Sequence, residues 1–142
     1  MPILSSADAS RVREMLAELS NPVRLVFFTQ TLNCDTCEPT KQILDELAAL
    51  SDKLTVEEHN FLLERETAAA LGVDRVPAIV PMAGDQDYGI RFFGIPSGYE
   101  FMSLIDAVQA VSQGDSGLSA ESLAVIAELQ DSLRVQVFVT PT

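Results

Sequence analysis

The strongest structural signal in this chain lies in residues 23–37, which read VRLVFFTQTLNCDTC. Residues 23–29 are nearly all apolar and rich in β-branched and aromatic side chains, a composition typical of a strand buried on both faces. After Cys34 and Cys37, apolar residues recur at helical spacing and predict a helix over about 35–50. The sequence therefore predicts a buried strand that leads through a Cys-x-x-Cys pair into a helix.

The elements around this unit predict an α/β fold. In chain order we expect helix, strand, helix, strand, helix, strand, strand and helix, at about 7–19, 23–29, 35–50, 54–61, 62–71, 77–82, 88–93 and 97–111. A right-handed crossover makes the first two strands parallel, and the short connection AGDQD makes the last two an antiparallel hairpin. We therefore predict one mixed four-stranded sheet flanked by helices.

The last part of the chain repeats the first part in brief. After a polar break at 113–117, a helix at about 119–131 and a strand at 134–140 are expected, and VFVTPT at the end echoes VFFTQT at 26–31. We therefore expect residues 1–116 to form one domain that carries the Cys-x-x-Cys pair. Residues 117–142 would then form the first helix and strand of a second, truncated unit. Because unpaired strand edges invite association, a homodimer through 119–140, or disorder of this segment, is expected.

Composition excludes several classes of function. The 142 residues carry 9 basic and 21 acidic side chains, a formal net charge of −12. Nucleic acid and anionic membrane surfaces both require a basic footprint, so neither is an expected partner. The sequence has no apolar run of membrane-spanning length and no signal-peptide pattern at its start, which favours a cytoplasmic protein.

Cys34 and Cys37 are the only cysteines in the chain. A thiol at the N-terminus of a helix has a lowered pKa because the helix dipole stabilises the thiolate. Cys34, nearer the open end, is the expected nucleophile, and Cys37, one turn further on, is the expected resolving thiol. Two alternatives remain open: a zinc site that includes His59, which would supply only three of the usual four ligands, and a pair of inert buried thiols. No metal site and no cofactor are predicted.

Three other residues are considered as possible site residues because of their positions in the sequence. Pro77 begins a predicted strand, where its missing N–H costs no ladder hydrogen bond. Arg75, two residues earlier, reads as a surface charge whose place allows a contact with a substrate. His59 lies within a predicted strand, far in sequence from the cysteines, and is interpreted as a structural histidine rather than a proton shuttle.

Four stretches together resemble a known family. They are the cysteine pair after an apolar strand, DRVPAIV at 74–80, YGIRFFGIPSGYEF at 88–101 and LRVQVFVTPT at 133–142. In these the chain is similar to the N-terminal half of the protein disulfide oxidoreductases of archaea and thermophilic bacteria. These are glutaredoxin-like proteins with two fused thioredoxin-fold units. The second unit of that family carries its own Cys-x-x-Cys pair, which this sequence lacks.

The resemblance implies a function and a set of roles. Cys34 would attack a protein disulfide and Cys37 would resolve the mixed disulfide. Pro77 would be a cis-proline facing the disulfide, and Val76 would offer backbone hydrogen bonds to a bound substrate chain. Some members of the family work with a thioredoxin reductase or a peroxiredoxin. The alternative is a redox-inactive docking module, similar to the thioredoxin-like N-terminal region of alkyl hydroperoxide reductase flavoproteins.

Overall fold

A computed structural model describes residues 1–141 of the chain. It contains five helices: α1 (Ser6–Leu16), α2 (Cys37–Ala48), α3 (Arg65–Ala70), α4 (Tyr99–Gln113) and α5 (Ala120–Ala127). It also contains five strands: β1 (Val23–Thr29), β2 (Leu54–Asn60), β3 (Ala78–Ala83), β4 (Gln86–Asp87) and β5 (Phe92–Phe93). The strands form one sheet in the order β2-β1-β3-β4, and β5 also pairs with β3. This is the predicted α/β class, a mixed sheet flanked by helices.

The central strand β1 is buried on both faces, as its composition predicts. Leu25 and Phe27 point into a core formed with α1, α2 and α4, whereas Val26 and Phe28 point into a second core beneath α3. Phe27 and Phe28 are both completely buried. Strand β1 pairs in parallel with β2 and antiparallel with β3. The carboxyl ends of β1 and β2 therefore lie at the same edge of the sheet as the start of β3.

The predicted strand at 88–93 is wrong, because two short strands replace it. β4 pairs with the end of β3 and β5 pairs with its beginning, so the predicted four-stranded sheet has five strands. Between them Asp87 turns the chain: its carboxylate accepts hydrogen bonds from Gly89 N at 2.9 Å and from Arg91 Nη2 at 2.6 Å. Gly89 has φ +83°, a conformation that interrupts a strand and that other residues rarely adopt.

The C-terminal segment differs from its prediction. Helix α5 forms within the predicted 119–131, but residues 132–141 form no strand, in contrast to the strand predicted at 134–140. A strand needs a neighbouring strand with which its backbone can pair, and among the described residues no strand pairs with this segment. Its apolar side chains are exposed, among them Leu133, Val135 and Phe138. The last residue of the predicted echo, Thr142, lies outside the described residues.

Candidate redox-active disulfide site

Cys34 and Cys37 form a disulfide at the start of α2, with their Cα atoms 5.4 Å apart. The loop from β1 is closed by the side-chain amide of Gln30, which donates to the Leu32 carbonyl at 2.8 Å, and by Asn33 with φ +57°. Asparagine tolerates this left-handed conformation better than most residues. The Gln30–Leu32 hydrogen bond and the left-handed Asn33 thus shape the loop that places Cys34 next to the first residue of α2, Cys37.

The two cysteines differ in burial. Cys37 is buried, with 2% of its surface exposed, whereas Cys34 is partly exposed. An attacking thiolate must reach its substrate, and a resolving thiol needs only to reach its neighbour in the mixed disulfide. The difference in burial therefore agrees with the assignment of Cys34 as nucleophile and Cys37 as resolving thiol.

In the first turn of α2 the Glu38 N–H has no acceptor among the described residues, whereas Cys37 N donates to the Cys34 carbonyl at 3.4 Å and Pro39 has no N–H. The N-cap residue, Thr36, makes no capping hydrogen bond through its side chain. Its carbonyl instead accepts hydrogen bonds from the amide and the hydroxyl of Thr40, at 3.0 Å and 2.7 Å. Orphan N–H groups at a helix start stabilise nearby negative charge, here a thiolate released when the disulfide opens.

Val76 and Pro77 lie at the same edge of the sheet as the disulfide. The Val76–Pro77 peptide bond is cis, as the family resemblance implies. Because Phe28 pairs with Ala78, Pro77 stands beside the carboxyl end of β1, from which the cysteine loop departs. The Pro77 carbonyl accepts a hydrogen bond from Gly94 N at 2.9 Å.

The backbone of Val76 is open to a ligand. Within residues 1–141 no hydrogen bond engages its N–H or its carbonyl, and its side chain is half-buried. Backbone groups left unpaired at the surface can be satisfied by an added chain, as in strand addition. The structure thus leaves the N–H and carbonyl of Val76 without partners among the described residues.

His59 lies on β2, the strand next to β1, and takes part in a separate hydrogen-bond network. Its Nδ1 is 2.7 Å from Glu64 Oε1, its Nε2 is 2.7 Å from Glu57 Oε1, and its ring stacks on Phe28 with centroids 5.2 Å apart. A neutral imidazole carries one N–H, so both contacts are hydrogen bonds only when the ring is protonated. Burial lowers the pKa of His59, but hydrogen bonds to Glu64 and Glu57 outweigh it and raise the pKa overall. The predicted structural role agrees with this arrangement.

The pH dependence of stability tests this network. Because the pKa of His59 is raised in the folded protein, its stabilisation is complete below the unfolded value of about 6.5 and is lost as pH rises through the folded pKa. We expect wild type to exceed His59→Gln in free energy of unfolding most at about pH 6. The difference should shrink, by less than about 1 kcal/mol, towards pH 9. Urea unfolding at pH 6, 7.5 and 9 measures it, and a difference that does not change with pH would contradict the protonated assignment.

Sequence reasoning missed two contributors to this edge. Phe93 lies at the end of β5, next to Ala78, and is 39% exposed. Leu32 lies in the cysteine loop and is 71% exposed. Neither carries a motif, and Phe93 reaches the site only through strand pairing between residues distant in sequence.

The structure brings no three His, Cys, Asp or Glu side chains of residues 1–141 into a group that could hold a metal ion. No helix in this range is long and apolar enough to cross a membrane.

Comparisons with known proteins agree with this geometry. No family model matches the chain. A solved protein disulfide oxidoreductase from Aeropyrum pernix superposes with a TM-score of 0.79 at 26% identity, covering 91% of this chain and 56% of that one. The chain matches a thioredoxin-like unit of a disulfide oxidoreductase. Solved thioredoxins share its fold alone, at 14–20% identity and TM-scores of 0.52–0.54.

Alkyl hydroperoxide reductase AhpF proteins supply further similarities. The Xanthomonas campestris protein is 29% identical over 134 residues, which are 92% of this chain and 23% of that protein. The solved N-terminal domain of the Enterococcus faecalis protein has a TM-score of 0.75 at 28% identity, covering 83% of this chain and 57% of that one. The chain thus spans about a quarter of the curated relative. Together with the Cys34–Cys37 disulfide, these similarities support a thiol–disulfide oxidoreductase function.

Proposed function

We propose that the chain is a thiol–disulfide oxidoreductase that exchanges electrons with protein disulfides through Cys34 and Cys37. The observation that carries the proposal is the disulfide at the start of α2, in which Cys34 is partly exposed and Cys37 is buried. A pair of structural thiols would gain nothing from exposing one cysteine. The similarity to a protein disulfide oxidoreductase supports the same reaction class.

The proposed reaction balances over two exchanges. In the reduced protein the Cys34 thiolate attacks one sulfur of a substrate disulfide, forms a mixed disulfide and releases the other substrate sulfur as a thiolate, which takes up a proton. Cys37, after losing its proton, then attacks Cys34 Sγ, forms the Cys34–Cys37 disulfide and releases the second substrate thiolate. Two electrons pass to the substrate, and a dithiol reductant returns two to the protein. The reverse sequence oxidises a substrate dithiol.

Val76 and Pro77 would hold the substrate chain. Pro77 is buried beside the end of β1, and the backbone of Val76 has free hydrogen-bonding groups. An extended substrate segment could pair with that backbone and so present its disulfide to Cys34. Positioning of this kind lowers the entropic cost of bringing two sulfurs into line.

We also propose redox partners, a location, a domain organisation and a dimer for this chain. The presence of alkyl hydroperoxide reductases among the relatives supports a peroxiredoxin or a thioredoxin reductase as a redox partner, in the cytoplasm. Residues 1–116 would be the thioredoxin-like domain, and 117–142 would belong to a second unit. Exposed apolar residues of α5 and of the segment after it, such as Ile126 and Val137, support a homodimer through 119–140.

Insulin reduction tests the proposal against the docking-module alternative. Wild type should accelerate the reduction of insulin by dithiothreitol well above the uncatalysed rate. The control is the double variant Cys34→Ser, Cys37→Ser, whose fold should persist because the disulfide spans a single turn. Equal rates for wild type and control, with both proteins folded by circular dichroism, would favour the docking module.

A further inference from the structure

Arg75 and Phe93 form a planar surface next to the site. The guanidinium carbon of Arg75 lies 5.6 Å from the centroid of the Phe93 ring, within the range of a cation–π contact. The two residues are far apart in sequence and meet only because β5 pairs with β3. We call the guanidinium and the ring together the Arg75–Phe93 plate. A role for this plate in substrate binding depends on the proposed function.

Both halves of the plate are held in place. Asp74 accepts hydrogen bonds from Arg75 Nε at 2.8 Å and Nη2 at 3.1 Å, a two-point contact that fixes the plane of the guanidinium. The hydrogen bond to Arg75 lowers the pKa of Asp74, so the carboxylate stays charged. Phe93 is fixed by its pairing with Ala78, and the next residue, Gly94, donates to the Pro77 carbonyl.

The plate lies on the path that a substrate would take. Arg75 directly precedes Val76, whose backbone is free, and Phe93 lies beside Ala78, which pairs with Phe28 near the end of β1. A chain that pairs with Val76 and brings a disulfide to Cys34 would pass along this edge. Its side chains next to the cysteine would then lie within reach of the plate.

The Arg75 side chain remains largely exposed despite its two contacts. Its guanidinium carbon lies 5.6 Å from the Phe93 ring centroid and Asp74 accepts from two of its donors, yet the side chain is 68% exposed. The charge is already matched by Asp74, and the whole chain carries a net charge of −12, so an acidic substrate group has little to gain. A flat, weakly hydrated and exposed cation is suited to stacking on an aromatic ring.

We propose that the Arg75–Phe93 plate selects substrates with an aromatic side chain adjacent to the cysteine that Cys34 attacks. The substrate ring stacks on the exposed guanidinium, so that Arg75 contacts two rings. Arg75 thus acts as a specificity-determining residue in binding and takes no part in the exchange of electrons.

The test compares substrates that differ only in the side chains next to the cysteine. Disulfide-linked peptide homodimers carry Phe, cyclohexylalanine, Leu or Ala on either side of the cysteine, and kcat/KM is measured with dithiothreitol as reductant. Cyclohexylalanine matches Phe in size and apolar area but has no π-system. Wild type should prefer Phe over cyclohexylalanine about two- to fivefold, which corresponds to a cation–π contact of about 0.5–1 kcal/mol at an exposed site.

Variants assign the preference to the plate. Arg75→Met, which keeps a long apolar stem, should bring the ratio close to one, and Phe93→Leu should lower it by removing the support beneath the guanidinium. Arg11→Met is the matched control: it removes the same charge from an exposed position on α1 and should leave the ratio unchanged. Thermal melting confirms that each variant folds.

The outcomes separate this proposal from the proposed function. A ratio near one in wild type, or a ratio that survives in Arg75→Met, would overturn the specificity role while leaving the redox reaction intact. No turnover of any peptide by wild type would instead overturn the proposed function.

Discussion

Replacing Cys34 by serine is expected to lower kcat/KM for insulin reduction by on the order of a thousandfold or more, to the uncatalysed level. The thiolate is the attacking species, and a serine hydroxyl neither ionises near neutral pH nor forms a disulfide. Cys34 is the more exposed cysteine of the pair, and we expect Cys37, with 2% of its surface exposed, to be unable to replace it as nucleophile. The measurement is steady-state turnover with insulin and dithiothreitol.

Cys37→Ser is the informative partner variant. It keeps the nucleophile and removes the group that resolves the mixed disulfide, so the first exchange should proceed and the second should depend on external dithiothreitol. We expect its turnover to be low and to rise with dithiothreitol concentration, whereas that of Cys34→Ser should not respond beyond the uncatalysed rate. Equal defects in both variants, with the same response to dithiothreitol, would argue against distinct roles.

Phe27→Ala is expected to lower the free energy of unfolding by about 3–5 kcal/mol, the largest stability effect among the changes considered. Phe27 is completely buried in β1 between β2 and β3, and it packs with residues of α1, α2 and α4. Alanine would leave a cavity at the centre of that core. Because the same strand carries the cysteine loop, loss of its packing should also impair activity.

Urea unfolding followed by circular dichroism measures the effect. Thr55→Ala is the control, because Thr55 lies exposed on the edge strand β2 and its replacement should change stability by no more than about 0.5 kcal/mol. A loss below about 1 kcal/mol for Phe27→Ala would mean that the core around β1 is less tightly packed than the structure has it.

Local patterns were sufficient to predict the centre of the molecule. Residues 23–29 carry enough β-branched and aromatic side chains to define a doubly buried strand, and the cysteine spacing predicted a disulfide at a helix start, although the helix begins at Cys37 and leaves Cys34 in the preceding loop. These signals come from residues that are close together in the sequence, so the sequence alone reveals them. The order of the elements then determined the mixed sheet, because crossover handedness and short connections limit the arrangements.

Features that depend on distant contacts could not be predicted. YGIRFF reads as one strand, but Asp87 and Arg91 bind each other and interrupt it. Likewise, nothing in the sequence around His59 shows that Glu57 and Glu64 hold both ring nitrogens. The meeting of Arg75 with Phe93 follows from the pairing of β5 with β3.

The C-terminal segment is a second case in which the local sequence was not sufficient to predict the structure. Residues 134–140 have a strong β pattern by composition, yet form no strand where no neighbouring strand is available among the described residues. Strand propensity describes how well side chains fit a pleated surface and does not replace backbone pairing. The exposed valines and Phe138 therefore mark a surface that association with another element would stabilise.

The role of Cys34 as the nucleophile of a redox-active pair can be tested by trapping the mixed disulfide. Reduced Cys37→Ser is incubated with insulin in the absence of reductant, and the products are analysed by mass spectrometry. We predict a covalent adduct in which one insulin chain is joined to Cys34, which dithiothreitol releases and which Cys34→Ser does not form. Failure of Cys37→Ser to form the adduct, or formation of an equal adduct on Cys37 in the Cys34→Ser variant, would contradict this assignment.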